Sequence, residues 1–241
     1  MIPFQATAAI LAGGFGTRLK PVLSAAPKVL APVAGRPFLF YLLTQLDRAG
    51  IRRAVICTGY RAEEVERTFG PAFGALKLVY SAEPAPLGTG GALRRALSLF
   101  DTEAILVMNG DSFCGADLAG FCGAHSSAPG EAGMILTRVD DAARYGKVLI
   151  DHRRLVTAFL EKGAATAGWI NTGIYLISRR LLEEIPPGEK VSIEREVFPG
   201  WAARRRLYGW PAPDAPFIDI GTPQAYAEAQ SFFGPNGAWG G

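Results

Sequence analysis

Cysteine and histidine are scarce. The 241 residues contain three cysteines (Cys57, Cys114 and Cys122) and two histidines (His125 and His152). So odd and sparse a set excludes a disulfide-stapled scaffold, and without metal-ligand spacing it excludes a structural zinc site. Cys57 falls in an apolar run and is expected to pack there as a reduced thiol. Long hydrophobic runs are also missing, so no segment reads as a bilayer span. The opening "MIPFQATAAILAGG" has no basic start, and glycines break its apolar run, so it reads as neither signal peptide nor anchor. Excess charge of one sign is lacking too. The formal net charge of +3 is too small to make nucleic acid the main partner, although a local basic site for a small anion stays open. There are no repeats and no low-complexity linker. A cytoplasmic protein with no nucleic acid or membrane partner is expected.

What the chain does contain is alternation. Apolar runs at 7–12, 53–58, 76–81 and 104–109 read as buried strands. Between them, helical patterns cover 38–49, 62–69 and 91–99. This order predicts an α/β fold with a Rossmann-like, doubly wound, mixed but mainly parallel sheet. Ligands of such sheets sit beyond the carboxyl ends of the strands, where both the glycine turn after the first strand and "NGDS" after the fourth fall. Past residue 111 the spacing changes to that of a meander or mixed sheet, with strands in 132–139, 146–151, 155–162, 168–178, 205–210 and 216–220. Helices are expected at 116–125, 179–184, 193–203 and 223–232. The reading is a nucleotide-binding lobe over 1–110 and a second lobe over 111–233 on one continuous sheet, with a loose tail over 234–241.

"AGGFGTRL" lacks the Gly-Lys-Ser/Thr ending of a Walker A loop, and no Gly-x-Gly-x-x-Gly can be laid over it because Leu19 stands three after Gly16. Its glycines still allow backbone N–H groups to approach an anion. The turn alone also fits a tight connection with no ligand. Arg18, and Lys28 in a backbone stiffened by Pro27, Pro32 and Pro37, point to a charge-dense triphosphate. Lys20 and Arg36 are weaker candidates.

"LAGGFGTRL" followed by "PKVLAPVAGRPFL" resembles the signature of the sugar-1-phosphate nucleotidylyltransferases, which make nucleotide sugars. "EPAPLGTGGAL", "VMNGDS", "RYGKV", "FLEKG", "INTGIYLI" and "FIDIGTPQAY" extend the resemblance along nearly the whole chain. The branch it looks most like is the D-glycero-α-D-manno-heptose 1-phosphate guanylyltransferases. It departs from longer relatives by ending soon after Phe233, so no β-helix acyltransferase domain is expected.

The resemblance implies the nucleotide-diphospho-sugar transferase fold. It also implies attack of a sugar 1-phosphate on the α-phosphorus of a nucleoside triphosphate, with pyrophosphate leaving. The nucleophile is already an anion, so positioning and charge neutralisation matter more than acid–base groups, and both histidines are expected at the surface. Leu11, Ala12, Gly13, Gly14, Gly16 and Thr17 would line the nucleotide, with Arg18, Lys28 and Asp111 catalytic. Asp111 and Asp219 would form a Mg2+ pair, a hard ion suited to oxygen ligands. Asn109, Gly146, Glu161, Lys162 and Asn171 would bind the sugar phosphate, with Tyr145, Trp169 and Tyr175 as core or sugar-stacking walls.

Within "SAEPAPLGTGGAL", Glu83, Gly88 and Thr89 would face the base, and Gly88, Gly90 and Gly91 would permit close approach of a flat ring. A carboxylate at Glu83 only accepts hydrogen bonds; guanine offers two adjacent donors, whereas uracil or thymine offers one flanked by repelling carbonyls. GTP is therefore the expected triphosphate, with uridylyl and thymidylyl transfer kept as alternatives. A nicotinamide- or flavin-binding enzyme fails on the glycine fingerprint and on Thr58-Gly59, where an acidic residue would stand. A non-catalytic nucleotide-sugar sensor would be expected to lose the charged residues that this chain keeps. Mannose, glucose and N-acetylmuramic acid 1-phosphates stay open beside the heptose, and a homodimer stays open because relatives often form one.

Overall fold

Runs of small and branched apolar residues form the middle of the sheet. The computed structural model describes residues 6–14, 16, 19, 26–163 and 166–239. Strand β1 (Thr7–Ala12) is almost wholly buried on both faces, as a parallel strand covered by helices must be. Next come a 3₁₀ turn at Lys28–Leu30, a short hairpin of β2 (Pro32–Val33) and β3 (Arg36–Pro37), and helix α1 (Phe38–Arg48). Alternation follows through β4 (Arg53–Thr58), α2 (Ala62–Phe69), β5 (Ala72–Phe73), β6 (Leu76–Ala82), α3 (Gly88–Arg95) and β7 (Ala104–Asn109).

The second half contains β8 (Ser112–Cys114), α4 (Leu118–Ala124), β9 (Ala132–Val139) and the ribbon of β10 (Lys147–Ile150) and β11 (Val156–Leu160). Then come β12 (Gly168–Ser178), α5 (Arg179–Glu183), α6 (Phe198–Ala203), β13 (Leu207–Pro211), β14 (Phe217–Asp219) and α7 (Pro223–Phe232). The helix expected over 193–203 is divided. Ile193–Val197 is a π turn and α6 follows it. Pro199 has no N–H to donate backwards, so one regular α-helix cannot run through it.

The main sheet has eight strands in the order β13-β9-β12-β7-β1-β4-β6-β5. β6, β4, β1 and β7 run parallel, β12 opposes both β7 and β9, and β13 runs parallel to β9. The sheet is thus mixed and mainly parallel, as expected. Strand alternation divides its apolar residues between two cores. Ala8 and Ile10 of β1 join Leu42, Leu106 and Leu176 on one face, while Ala9 joins Val55, Val107 and Tyr175 on the other.

Two expectations fail here. Trp239 packs its ring 4.9 Å from Phe113, and its main-chain N–H donates to the Phe232 carbonyl at 3.1 Å, so residues 234–239 are fastened rather than loose. One tryptophan entering an aromatic cluster leaves no periodic trace in sequence. His125 is half-buried, with Nδ1 3.1 Å from the Tyr208 hydroxyl, and burial lowers its pKa; only His152 is exposed. The three cysteines are free and buried, their thiols pushed up to about 12, which makes them inert packing groups. Among the described residues no helix is long and apolar enough to cross a membrane.

Candidate active site

Parallel neighbours β1, β4, β6 and β7 bring their carboxyl ends, and the loops that follow, to one edge of the sheet. A cavity of about 290 Å³ opens there, with Leu11, Ala12, Gly13 and Gly14 on one side and Asn109, Gly110 and Asp111 on another. Missing side chains make the loops meet. The Gly110 N–H donates to the Leu11 carbonyl at 3.0 Å, and a Cβ on Gly110 would lie 2.5 Å from that oxygen. A Cβ on Gly59 would lie 3.0 Å from the Gly13 carbonyl. Gly16 takes a φ of 57°, and a Cβ there would stand 3.2 Å from the Lys28 Cβ. The turn therefore folds against the lysine stem.

Lys28 leaves the 3₁₀ turn into this cavity and donates from Nζ to Asp111 Oδ2 at 2.7 Å. Its side chain is only 11% exposed against 46% for Asp111, so the ammonium is held while the carboxylate still meets solvent. Thr17, Arg18 and Lys20 lie outside the described residues. Arg36 is not part of the cavity lining; its guanidinium sits 4.3 Å above the Phe40 ring.

Glu83 lines the cavity at the end of β6. One oxygen accepts the Leu87 N–H at 2.8 Å, and the other stands 2.6 Å from where a Gly13 Cβ would be. Burial pushes its pKa up, against the lowering pull of the Leu87 amide and Arg95. Gly88 and Thr89 also line the cavity, and the glycines after Glu83 also admit the protein's own backbone. A Cβ on Gly88 would lie 2.5 Å from the Val191 carbonyl, and one on Gly91 2.4 Å from that of Glu189. The protein's own backbone occupies the space on their Cβ side. The Thr89 hydroxyl is likewise committed, donating to Glu194 at 2.7 Å and accepting the Ile193 N–H at 2.9 Å.

The acidic pair is joined through the backbone. Asp219 faces Ser112 across the β14–β8 pairing, and the Ile220 N–H donates to the Asp111 carbonyl at 2.9 Å. The Asp219 side chain accepts the Gly221 N–H at 2.7 Å and borders a neighbouring hollow of about 390 Å³ with Tyr145 and Glu228. Among the described residues no group of three or more His, Cys, Asp or Glu could hold a metal. The two aspartates offer oxygen donors only, a chemistry that fits a hard cation completing its shell with phosphate and water.

The remaining expected sugar residues are spread out. Asn109 lines the cavity, and its buried Oδ1 has no hydrogen-bond partner. Asn171 sits in a bulge of β12, where its Oδ1 accepts the Gly173 N–H and its Nδ2 donates to the buried Tyr175 hydroxyl, each at 2.8 Å. Gly173, at a φ of 81°, lets Asn109 pass, since a Cβ there would lie 2.9 Å from the Asn109 Cβ. Tyr175 is therefore core, while Tyr145 walls the Asp219 hollow with its ring 5.5 Å from Phe217. Gly146 packs against the end of β11, its Cβ position 2.7 Å from the Leu160 carbonyl, and Glu161 and Lys162 are exposed outside the cavity lining. Sequence reasoning missed Gly59, although it follows β4 as Gly13 follows β1. It also missed Glu194, for which no local signal exists.

A model described as nucleotidyl transferase matches residues 7–234. A D-glycero-α-D-manno-heptose 1-phosphate guanylyltransferase of Aneurinibacillus thermoaerophilus is 36% identical over 223 residues, 92% of this chain and 96% of that protein. A mannose-1-phosphate guanylyltransferase of Mycobacterium tuberculosis is 37% identical over 236 residues, 96% of this chain and 65% of that protein. HddC from Yersinia pseudotuberculosis, solved complexed with GMP-PN, has a TM-score of 0.83 at 32% identity and covers 95% of this chain and 100% of its own. The fold is that of the nucleotide-diphospho-sugar transferases. With a family model spanning almost all of the chain, and relatives above 30% identity along most of its length, the protein belongs to the nucleotidyl transferase family.

Proposed function

We propose that the protein is a sugar-1-phosphate guanylyltransferase that joins D-glycero-D-manno-heptose 1-phosphate to GTP, releasing pyrophosphate. The observation that carries this reading is the Lys28–Asp111 pair, set between the glycine turn and Asn109 in a cavity that Glu83 also lines. A triphosphate with its base at Glu83 and its phosphates at the glycine turn brings its α-phosphorus towards Lys28. The anionic sugar phosphate needs no base to activate it. The protein's task is to hold two mutually repelling anions in line and to offset the charge gathering on the leaving pyrophosphate. Arg18 is proposed to share that task. Asp111 and Asp219 would hold Mg2+, which when bound supplies further charge neutralisation at phosphate oxygens.

The heptose relatives match this chain over nearly their whole length, which supports the sugar assignment. Mannose 1-phosphate is the second reading, supported by the Mycobacterium tuberculosis relative. The two sugars share the manno ring and differ by one exocyclic CHOH, so the same ring contacts serve both. Charged, water-soluble substrates suit a cytoplasmic enzyme.

The test is pyrophosphate release with Mg2+ across four triphosphates and a panel of sugar 1-phosphates. Turnover is expected with GTP and the heptose; turnover only with UTP or dTTP would overturn the base assignment. Glu83→Gln sharpens it. Losing a charged acceptor costs about 1.5–3 kcal/mol, so kcat/KM for GTP should fall roughly 10- to 10²-fold. The amide retains an acceptor for the Leu87 N–H and gains a donor that suits uracil, so discrimination against UTP should narrow. Because burial raises the Glu83 pKa, the carboxylate protonates at a higher pH than a free glutamate. KM for GTP should therefore rise as pH falls through a midpoint above the ordinary value of 4.5, and Glu83→Gln should abolish that limb.

A further inference from the structure

The first turn of α3 reads Gly88-Thr89-Gly90-Gly91, and Gly88 and Thr89 form part of the cavity wall. Glycine is a poor helix former beside alanine, and no side chain caps this helix start. Its own sequence therefore fixes the wall poorly. What fixes it is a strap, residues 189–194, lying against the three glycines. The Gly90 and Gly91 N–H groups both reach the Val191 carbonyl, at 2.8 and 3.3 Å, and the Val191 N–H donates back to the Leu87 carbonyl at 2.8 Å. Larger residues at the glycine positions would push the strap away.

The side-chain fastening of this strap is Glu194. Its Oε2 accepts from the Thr89 hydroxyl at 2.7 Å and from the Ser192 hydroxyl at 3.2 Å, while the Ile193 N–H donates to the Thr89 oxygen at 2.9 Å. Glu194 does not itself line the cavity. We infer that Glu194 is a positioning residue for nucleotide binding, holding Thr89, and through it the α3 edge of the cavity, at the depth that accepts the triphosphate substrate. The inference rests on the nucleotidyl-transfer reading above. It accounts for a carboxylate here, since one oxygen gathers two hydroxyl protons and leaves the Thr89 lone pair for the Ile193 amide. Without it, the glycine-rich helix start would keep only its backbone bonds to Val191, and Thr89 only the bond from the Ile193 N–H.

The experiment compares Glu194→Ala, Glu194→Gln, Thr89→Val and the Ala/Val double variant in steady-state turnover with each of four triphosphates. Glu194→Ala should raise KM for the accepted triphosphate about tenfold, with kcat and the sugar-phosphate KM within roughly twofold, because uniform binding is what is lost. Glu194→Gln should recover most of that loss, since its Oε1 can accept both hydroxyls. The double variant should be no worse than the weaker single one, the non-additivity of residues acting as a unit. If Glu194→Ala does not fold, Thr89→Val reads the same strut from its other end, with the same expected rise in KM. A folded Glu194→Ala enzyme with unchanged triphosphate KM, a glutamine variant as weak as alanine, or additive losses would each overturn the inference. A wild-type enzyme that uses UTP in place of GTP would overturn the base assignment instead, and the Glu194 effect would then be read on UTP.

Discussion

Lys28→Ala is expected to lower kcat by about 10²–10³, the usual cost of removing one preorganised group that stabilises transition-state charge. The size of the effect follows from how little freedom Lys28 has. It opens a 3₁₀ turn directly after Pro27, its stem lies under Gly16, and its ammonium is 2.7 Å from Asp111. A cation held this way costs no reorganisation when charge develops on the phosphates. The fold should survive. The ion pair lost has a partner 46% exposed, and pairs that reach solvent contribute only about 0–1 kcal/mol. Val29, buried beside it, keeps the turn in the core. Pyrophosphate release and a thermal melt on the same preparation separate the two effects. An unchanged kcat in the folded variant would remove Lys28 from the mechanism.

The sequence was most legible where burial is continuous. The bounds of β1 and β12 match the apolar periods read from the residues, because each is buried along most of its length; those of α2 and α7 match too, although only Val65 in the first and Ala225 and Ala229 in the second are buried. The convergence of the glycine turn, Lys28, Glu83 and Asn109–Asp111 was equally legible. A parallel sheet must gather its strand ends at one edge, so residues far apart in sequence share a crevice. What escaped was whatever depends on what stands opposite. The glycines of "LGTGG" announce that something comes close, but not that it is Val191 and Glu189. Glu194 is separated from Thr89 by 105 residues and joined to it by one hydroxyl, a contact that no local pattern encodes. His125 belongs to the same class, since its burial depends on Tyr208 arriving from β13. Glu161 and Lys162 carry the family motif and yet stand exposed outside the cavity lining.

Asp111→Asn should cost as much as Lys28→Ala, about 10²–10³ in kcat, and should differ from it in how the enzyme responds to Mg2+. The substitution keeps the shape of the side chain and removes its charge. The backbone is untouched, because the bond that ties this corner to β14 comes from the Ile220 N–H to the Asp111 main-chain carbonyl and not to the side chain. Two consequences follow. Lys28 loses its anionic partner and stays as an uncompensated, nearly buried cation, which should tighten the hold on pyrophosphate while weakening the alignment of the α-phosphorus. If Asp111 and Asp219 together hold the metal, the Mg2+ concentration for half-maximal rate should also rise, whereas Lys28→Ala, which frees Asp111 from its ammonium, should leave it equal or lower. Asp219→Asn tests the other half of the pair: its amide oxygen still accepts the Gly221 N–H at the turn into α7, so the fold should hold while the Mg2+ requirement rises. Rates measured over a Mg2+ titration for the two charge variants decide the matter. An Asp111→Asn enzyme with the wild-type kcat and an unshifted Mg2+ requirement would take Asp111 out of both roles, and Lys28 would then be working without the carboxylate that holds it in place.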